Sequence, residues 1–580
     1  MVFLDAAIIF VYFVVVIGLG FRYRRRAAHS LESYFLGNKK LHWLALAMSG
    51  SVSNFDITGT MWIVSMFFLM GMRSMWIHWM WGFMMGAFFM AYMAKWVRKS
   101  SVMTGAEWMV TRFGAGPAGK TARTAYAVMA VLTQASFIGY AFQGIGKFAS
   151  VYVPLSPVLC ALLIIGATTL YVLLGGLYSV VVTDVLQTVI LTLAALAISV
   201  TAFIRLAPET LAGVLPDGWA SLAPRWRLAE FAGTENAGYE FFGALVIVWV
   251  LKGMLLNAGG PAQMYDFQRF LSARDARDAA KTGAAWSMFL IVRWGMAMGI
   301  VLLAVSGLSE VGDPEKVMPH VLREYIPAGM RGFVIAGLLA AFMSTFSSTV
   351  NSGASYIVRD IWQPFFRPNK DQKSLVRAGY AATLGIVGAG ILFGVQARSI
   401  AQIWSWMMMA LGAGVVVPNV LRWYWWRFNG WGYAAGTAAG ILGSLPSLFH
   451  PEWPMYIVFP PVVLLSLAAG CIVSLLTPVT DKKVLEAFFH KVRPFGFWRP
   501  VKNKMGYSLK KFQKTGDSPA RTAVNVLLGM AAVSGAYLFP MYLVGHWYDR
   551  ALLWAAVFLS ACLALRWTWY PFLPSKGEDD

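Results

Sequence analysis

Charge is what this sequence has least of. Only 13% of its 580 residues are charged, where a soluble globular domain carries about a quarter. Hydrophobic residues make up 58%, and the mean hydropathy is +0.60. So little polar surface cannot cover one soluble core. The alternative solvent is lipid, in which a helical span takes ~20 apolar residues. Cysteine is nearly absent. Cys160, Cys471 and Cys562 lie inside apolar runs without metal-ligand spacing, which excludes a disulfide framework and makes them small buried hydrophobes. Acidic residues are scarce, 27 against 48 Lys and Arg, for a net charge of +21. The basic residues fall between the apolar runs and form no stripe with interleaved aromatics, so a nucleic-acid surface is not expected. They fit the positive-inside rule instead. Neither a nucleophile–base pair nor a metal-ligand cluster stands out, so an enzyme is not expected.

What is present is a series of about fifteen candidate spans. Their approximate limits are 3–21, 42–70, 74–95, 122–152, 156–176, 179–205, 238–263, 281–308, 331–361, 374–396, 399–424, 431–449, 455–477, 522–544 and 550–572. The first run is followed, not preceded, by its basic cluster (Arg22, Arg24, Arg25, Arg26), which is the wrong polarity for a signal peptide. A retained helix with its N-terminus outside puts the Lys/Arg-rich loops, near 22–41, 95–121, 266–281, 359–377 and 478–521, on the cytoplasmic side. The loop 206–240, placed outside, holds two arginines against five acids. The C-terminus then lies inside. The stretch 481–521 has eleven Lys/Arg against three acids and reads as a solvated loop near anionic lipid or as a partner site. Tryptophan clusters at predicted membrane edges read as belt anchors, and the 30 methionines as packing filler.

Two spans are interrupted. The second contains Ser49-Gly50-Ser51-Val52-Ser53-Asn54-Phe55-Asp56-Ile57-Thr58-Gly59-Thr60, and the seventh Leu256-Asn257-Ala258-Gly259-Gly260-Pro261-Ala262-Gln263. Backbone freed from a helix at membrane depth must line a cavity or be buried in protein. Interruptions at matching positions of two halves point to a transporter's central site. Here they open two blocks of five helices, spans two to six and seven to eleven. That is a 5+5 inverted repeat, unless both are ordinary kinks. The expected organisation is an extra helix in 1–30, a first repeat in 31–205, an external loop in 206–240 and a second repeat in 241–430. Two extra helices in 431–477, the basic cytoplasmic loop 478–521 and two C-terminal helices in 522–580 follow.

Polar residues inside spans are costly and therefore informative. Asp184, at the start of span six, is a carboxylate costing ~2.5–3.5 kcal/mol in a span unless it has a partner. A cation is one such partner, and an interfacial helix end is the alternative. In span nine, Ser344, Thr345 and Ser348 share a helical face with Ser347 one step round it. Hard cations take hydroxyl, carbonyl and carboxylate oxygens, so such a face beside an unwound segment suits a weakly held Na⁺. Helix packing through hydroxyl bonds is the alternative. Asp56, Lys252 and Arg293 either bind substrate or neutralise one another. His78 lines the pocket or sits at the outer interface.

Taken in order, these residues resemble the sodium:solute symporter family, which includes the sodium/galactose, sodium/proline and sodium/sialic acid symporters. The resemblance covers about residues 30 to 425. It runs through Glu32-Ser33-Tyr34-Phe35-Leu36-Gly37-Asn38, Ser53-Asn54, Glu107-Trp108 with Arg112-Phe113, and Tyr171 to Gln187. It is strongest from Gly337 to Ser352, followed by Arg359-Asp360-Ile361. It implies an all-α membrane protein of the LeuT type, with extra helices at both ends. It implies a first sodium site at Val52, Phe55, Ala341, Ser344 and Thr345, and a second, as in the sialic acid symporter, at Asp184, Ser344, Ser347 and Ser348. Asn54 matches an asparagine of the galactose pocket. Gly59, His78 and Trp81 stand where that pocket has glutamine, glutamate and serine, so it is not reproduced here.

The expected function is sodium-coupled import of a small polar organic solute by alternating access, with one or two sodium ions. Candidate substrate residues are Asn54, Asp56, His78, Trp81, Lys252, Asn257 and Arg293. A sugar or sugar acid is favoured. The alternatives are an amino-acid or other carboxylate symporter, or a membrane sensor that keeps the fold without the flux. The expected partners are the solute, Na⁺ and the lipid bilayer. No nucleic acid or obligatory oligomer is expected.

Overall fold

The computed structural model describes residues 2–27, 41–78, 83–100, 102, 104–174, 177–260, 264–307, 312–366, 372–397, 399–407, 412–450, 452–505 and 518–575. Each of the fifteen apolar runs contains helix, and among the described residues strand pairing is confined to two isolated bridges. Nine described helices are long and apolar enough to cross a membrane, and three shorter apolar ones join them.

The N-terminal helix α1 (Phe3–Ala27) precedes a broken pair, α2 (Trp43–Asn54) and α3 (Ile57–Met70). Later in the first repeat come α4 (Pro117–Ser150), α5 (Pro157–Leu174) and α6 (Leu177–Arg205). The second repeat opens with another broken pair, α7 (Phe242–Ala258) and α8 (Met264–Leu271). After it come α9 (Ala276–Met288), α10 (Ile291–Gly307), α11 (Met330–Ser355), α12 (Gln372–Gln396), α13 (Ile400–Met407) and α14 (Gly414–Tyr424). Four further helices, α15 (Gly430–Ser444), α16 (Met455–Leu476), α17 (Pro519–Val544) and α18 (Tyr548–Thr568), flank the repeats.

Burial sorts these helices into axis and periphery. In α11, 94% of the most apolar window is buried, against 17% in α18 and 28% in α16, so α11 forms the axis and the latter two present their apolar faces outward. The axis packs against α1, α2, α4, α6 and α12. Asp5 of α1 is fully buried and holds Arg331 at 2.7 Å, tying α1 to the start of α11.

Three of the expected loops carry ordered structure. Residues 206–240 are ordered against the helix ends: Met72 donates its N–H to Trp219 O, and Trp76 Nε1 to Leu222 O. The window 266–281, expected as a basic loop, is largely helical, and α8 buries Phe267, Phe270 and Leu271. Within 478–521, helices Lys482–Val492 and Arg499–Lys504 turn Leu485, Phe488, Phe489 and Val492 inward instead of lying in solvent. Trp498 is fully buried there and donates Nε1–H to Trp423 O at 2.8 Å. An amphipathic face, not the net charge, decides the fate of this segment. Glu32 to Asn38, which open the resemblance, lie outside the described residues.

Candidate functional site

The first break sits where the polar run predicts it. Helix α2 ends at Asn54. Phe55 closes a tight turn by donating N–H to Val52 O. Asp56 takes an extended conformation and caps α3 by accepting the N–H of Gly59, the usual carboxylate role at an N-cap. Two of the carbonyls freed at the end of α2 are met by side-chain donors, as buried backbone requires. Ser53 O accepts Thr345 Oγ1 at 2.6 Å, and Asn54 O accepts Arg293 Nη1 at 2.7 Å. The guanidinium therefore meets the negative end of α2 while Asp56 meets the positive end of α3, matching the helix dipoles. Arg293 also donates Nε–H to Thr60 Oγ1 at 3.1 Å. A Cβ on Gly59 would fall 2.8 Å from Asp56 Oδ1 and 2.9 Å from Arg293 Nη2, so only glycine leaves room there for both charged groups.

Beside this break lies a cavity with about 600 Å³ of empty space, mouth included. Asn54, Asp56, His78 and Arg293 line it. So do residues absent from the sequence-based set: Trp62, Phe137, Tyr140, Trp294, Trp404 and Tyr537. His78 is almost fully buried, packed edge-on against Trp62 with centroids 4.8 Å apart, and neither ring nitrogen has a hydrogen-bond partner among the described residues. Aromatic walls with a few convergent polar groups are what a small-solute site requires.

Two expected pocket residues lie elsewhere. Lys252 is buried on α7 over the Trp249 ring, 4.6 Å from its centroid, with its Cε against Gly412. Asn257 donates to its own helix, to Gly253 O at 2.8 Å. Both belong to the first half of the second broken helix, and neither lines the cavity. Trp81 lies outside the described residues.

The second break falls at Gly259 and Gly260, the latter with φ +101°. Its freed carbonyls are also met by side chains: Ala258 O by the Tyr424 hydroxyl at 3.0 Å, and Gly259 O by Trp423 Nε1 at 3.0 Å and Arg422 Nη2 at 3.3 Å. Tyr424 in turn bonds the Tyr92 hydroxyl at 2.6 Å.

The residues expected to hold cations meet where α2, α6 and α11 cross. Val52, Phe55, Ala341, Ser344 and Thr345 are all buried. Thr345 Oγ1 reaches both Ser53 O and, at 3.1 Å, Ala341 O. Ser344 Oγ donates to Asp184 Oδ1 at 2.6 Å, and Ser49 Oγ to Oδ2 at 2.5 Å. Asp184 is fully buried inside α6, not at an interfacial helix end. Ser347 turns back to Ser344 O at 3.1 Å, while Ser348 faces the cluster. Arg269 of α8 completes the cluster, and the sequence-based reading left it out.

Known proteins share both the fold and the sequence pattern. The solved structure of a Na⁺-coupled sialic acid symporter in a substrate-bound, outward-open state matches with a TM-score of 0.65 at 16% identity. The match covers 83% of this chain and 99% of that one, and it establishes the LeuT-type fold. The sodium/glucose cotransporter of Vibrio parahaemolyticus is 24% identical over 83% of this chain and 91% of its own length. The sodium/mannose cotransporter of Bos taurus is 24% identical over 78% and 80%. The osmoregulated proline transporter of Bacillus subtilis is 26% identical over 53% of this chain and 61% of its own length. The profile of one family spans residues 34–440, well over half the chain, and its reach from the first break through α11 to the second repeat places this protein in the sodium:solute symporter family.

Proposed function

We propose that this protein is a multi-pass membrane symporter that uses a sodium gradient to import a small polar organic solute. The supporting observation is that one break serves two surfaces. Residues 53–56 face α11 hydroxyls on one side and the aromatic cavity on the other. A cation bracing α2 against α11 fixes the carbonyls of the same turn whose Asn54 and Asp56 line the cavity, so ion and solute stabilise one conformation. The ion site in this reading comprises Val52, Phe55, Ala341, Ser344 and Thr345. Rocking of the bundle around that turn alternates access. With the N-terminus outside and the C-terminus in the cytoplasm, each inward Na⁺ contributes ~2.3 kcal/mol per 100 mV.

A sugar or sugar acid is the favoured solute. The rings of Trp62, Trp294 and Trp404 offer flat apolar faces to a pyranose, and Asp56 and His78 offer hydrogen-bonding groups to its hydroxyls. An amino acid is the second reading, because Asp56 and Arg293 side by side complement a zwitterion. Uptake into proteoliposomes under an imposed Na⁺ gradient tests both. A labelled panel of neutral sugars, uronic acids and amino acids is compared in Na⁺ and in choline. Uptake of a sugar or sugar acid that collapses in choline is expected. Sodium-driven uptake confined to amino acids would select the second reading, and uptake indifferent to Na⁺ across the panel would defeat the symport proposal.

A further inference from the structure

The centre of the bundle already holds a cation of its own. Arg269 is fully buried. Its Nη2 donates to Ser53 Oγ at 2.7 Å and Ser348 Oγ at 2.8 Å, and lies 3.7 Å from Asp184 Oδ2. Its Nε donates to Ser49 Oγ at 3.2 Å. The guanidinium thus occupies an oxygen-only nest built from α2, α6 and α11 around one carboxylate. These are the donors a hard monovalent cation takes, and Asp184, Ser344 and Ser348 belong to the second sodium set implied by the family resemblance.

The cluster itself holds one carboxylate, Asp184, and Arg269 already lies against it. Adding Na⁺ while Arg269 stays would set two cations on that one carboxylate and on the same hydroxyls, a costly crowding of like charge in a protein interior. We infer that Arg269 and a sodium ion occupy the Asp184 cluster in turn: Na⁺ binds there only as Arg269 leaves, and the departure moves α8, the second half of the second broken helix. A place for the displaced charge exists. Asp266 lies three residues back on the same helix, a spacing that makes the two side chains neighbours. It is buried, and its Oδ1 has no hydrogen-bond partner among the described residues. This links ion binding to the helix that follows the second break, through the bond from Arg269 to Ser348 of α11.

The inference rests on the sodium-symport reading, and its test separates the two. Detergent-purified wild type, Arg269→Gln, Arg269→Lys and the double variant Asp184→Asn/Arg269→Gln are titrated with NaCl at constant ionic strength in choline chloride. Tryptophan fluorescence and the apparent Tm are the readouts. If the tethered cation vacates the cluster a tenth of the time or less, deleting its charge raises apparent Na⁺ affinity at least tenfold. Arg269→Gln is therefore expected to be destabilised in choline and rescued by Na⁺, with half-saturation at least tenfold below wild type. Arg269→Lys is expected to stay near wild type, and the double variant to lose the rescue. A residue with only a structural role would be destabilised equally in both salts. Wild type that saturates with Na⁺ while Arg269→Gln shows the same or weaker affinity would overturn the competition and leave symport standing. If Arg269→Gln does not fold, wild-type-like Na⁺ affinity in Arg269→Lys supports the competition, and unchanged Na⁺ affinity in Asp184→Asn overturns it. Absence of any Na⁺ response in wild type would overturn both.

Discussion

Asp56 and Arg293 hold the two ends of the first break, and removing one without the other should cost more than removing both. Arg293→Gln takes the donor from the partly buried Asn54 carbonyl, up to about 1–3 kcal/mol for an unsatisfied acceptor. It also strips the half-buried Asp56 of its nearby counter-charge, so the loss should exceed that of the hydrogen bond alone. Asp56→Asn keeps an oxygen to cap Gly59 but loses the attraction between the charges. Both groups approach one point beside Gly59, 2.8 and 2.9 Å from it, so they stand less than about 6 Å apart, and at an effective dielectric of about 20 that attraction is on the order of 3 kcal/mol. The double variant removes both charges, so its loss should fall short of the sum of the singles by about 2–3 kcal/mol, the coupling that a double-mutant cycle isolates. The assay is unfolding of the four purified proteins in mixed micelles, with solute uptake as a second readout. Because both groups also line the cavity, uptake should fall in all three variants while stability partly returns in the double. Single variants with wild-type stability and only a raised solute KM would refute the reasoning and make the pair purely a recognition device.

Thr345→Ala removes the hydroxyl that spans Ser53 O and Ala341 O and is expected to raise the Na⁺ half-saturation of uptake by about tenfold, ~1.4 kcal/mol for one oxygen ligand. Thr345→Ser should retain wild-type dependence. Lys252→Met should leave solute KM within about twofold of wild type in a radiolabel uptake assay, since Lys252 packs on Trp249 away from the cavity. Trp498→Ala deletes a fully buried indole and its bond to Trp423 O. By the usual ~3–5 kcal/mol for such a truncation, hydrogen exchange of residues 482–504 should accelerate while the cavity residues stay protected.

The features legible in the sequence are the ones whose signal is local. Run length marks the helices, and an Asn-Phe-Asp or Gly-Gly-Pro interruption marks a break, because the residues that disrupt the helix are the ones that form the gap. A shared face for Ser344, Thr345 and Ser348 follows from helical spacing alone. Environment does not follow in this way. Trp62, Trp294 and Trp404 are chemically the same whether they anchor an interface or wall a cavity, and reading tryptophan as belt residues hid them. Tyr537 reaches the cavity from α17, beyond the stretch that carries the family resemblance. Lys252 and Arg293 are both lone cations in apolar spans, and only the partners across the bundle separate a packing residue from one that closes a break. Arg269 makes the point most sharply. It follows an apolar run in a window dense with arginine, which composition reads as a solvated loop. Its partners stand 79 and 216 positions away in the chain. The amphipathic face of Phe267, Phe270 and Leu271 was the available clue that this window turns inward. An acid and a ring of hydroxyls tell the reader of a sequence that a positive charge belongs there. Whether that charge is free or covalently attached depends on which distant helix reaches the nest, and that is a property of the fold.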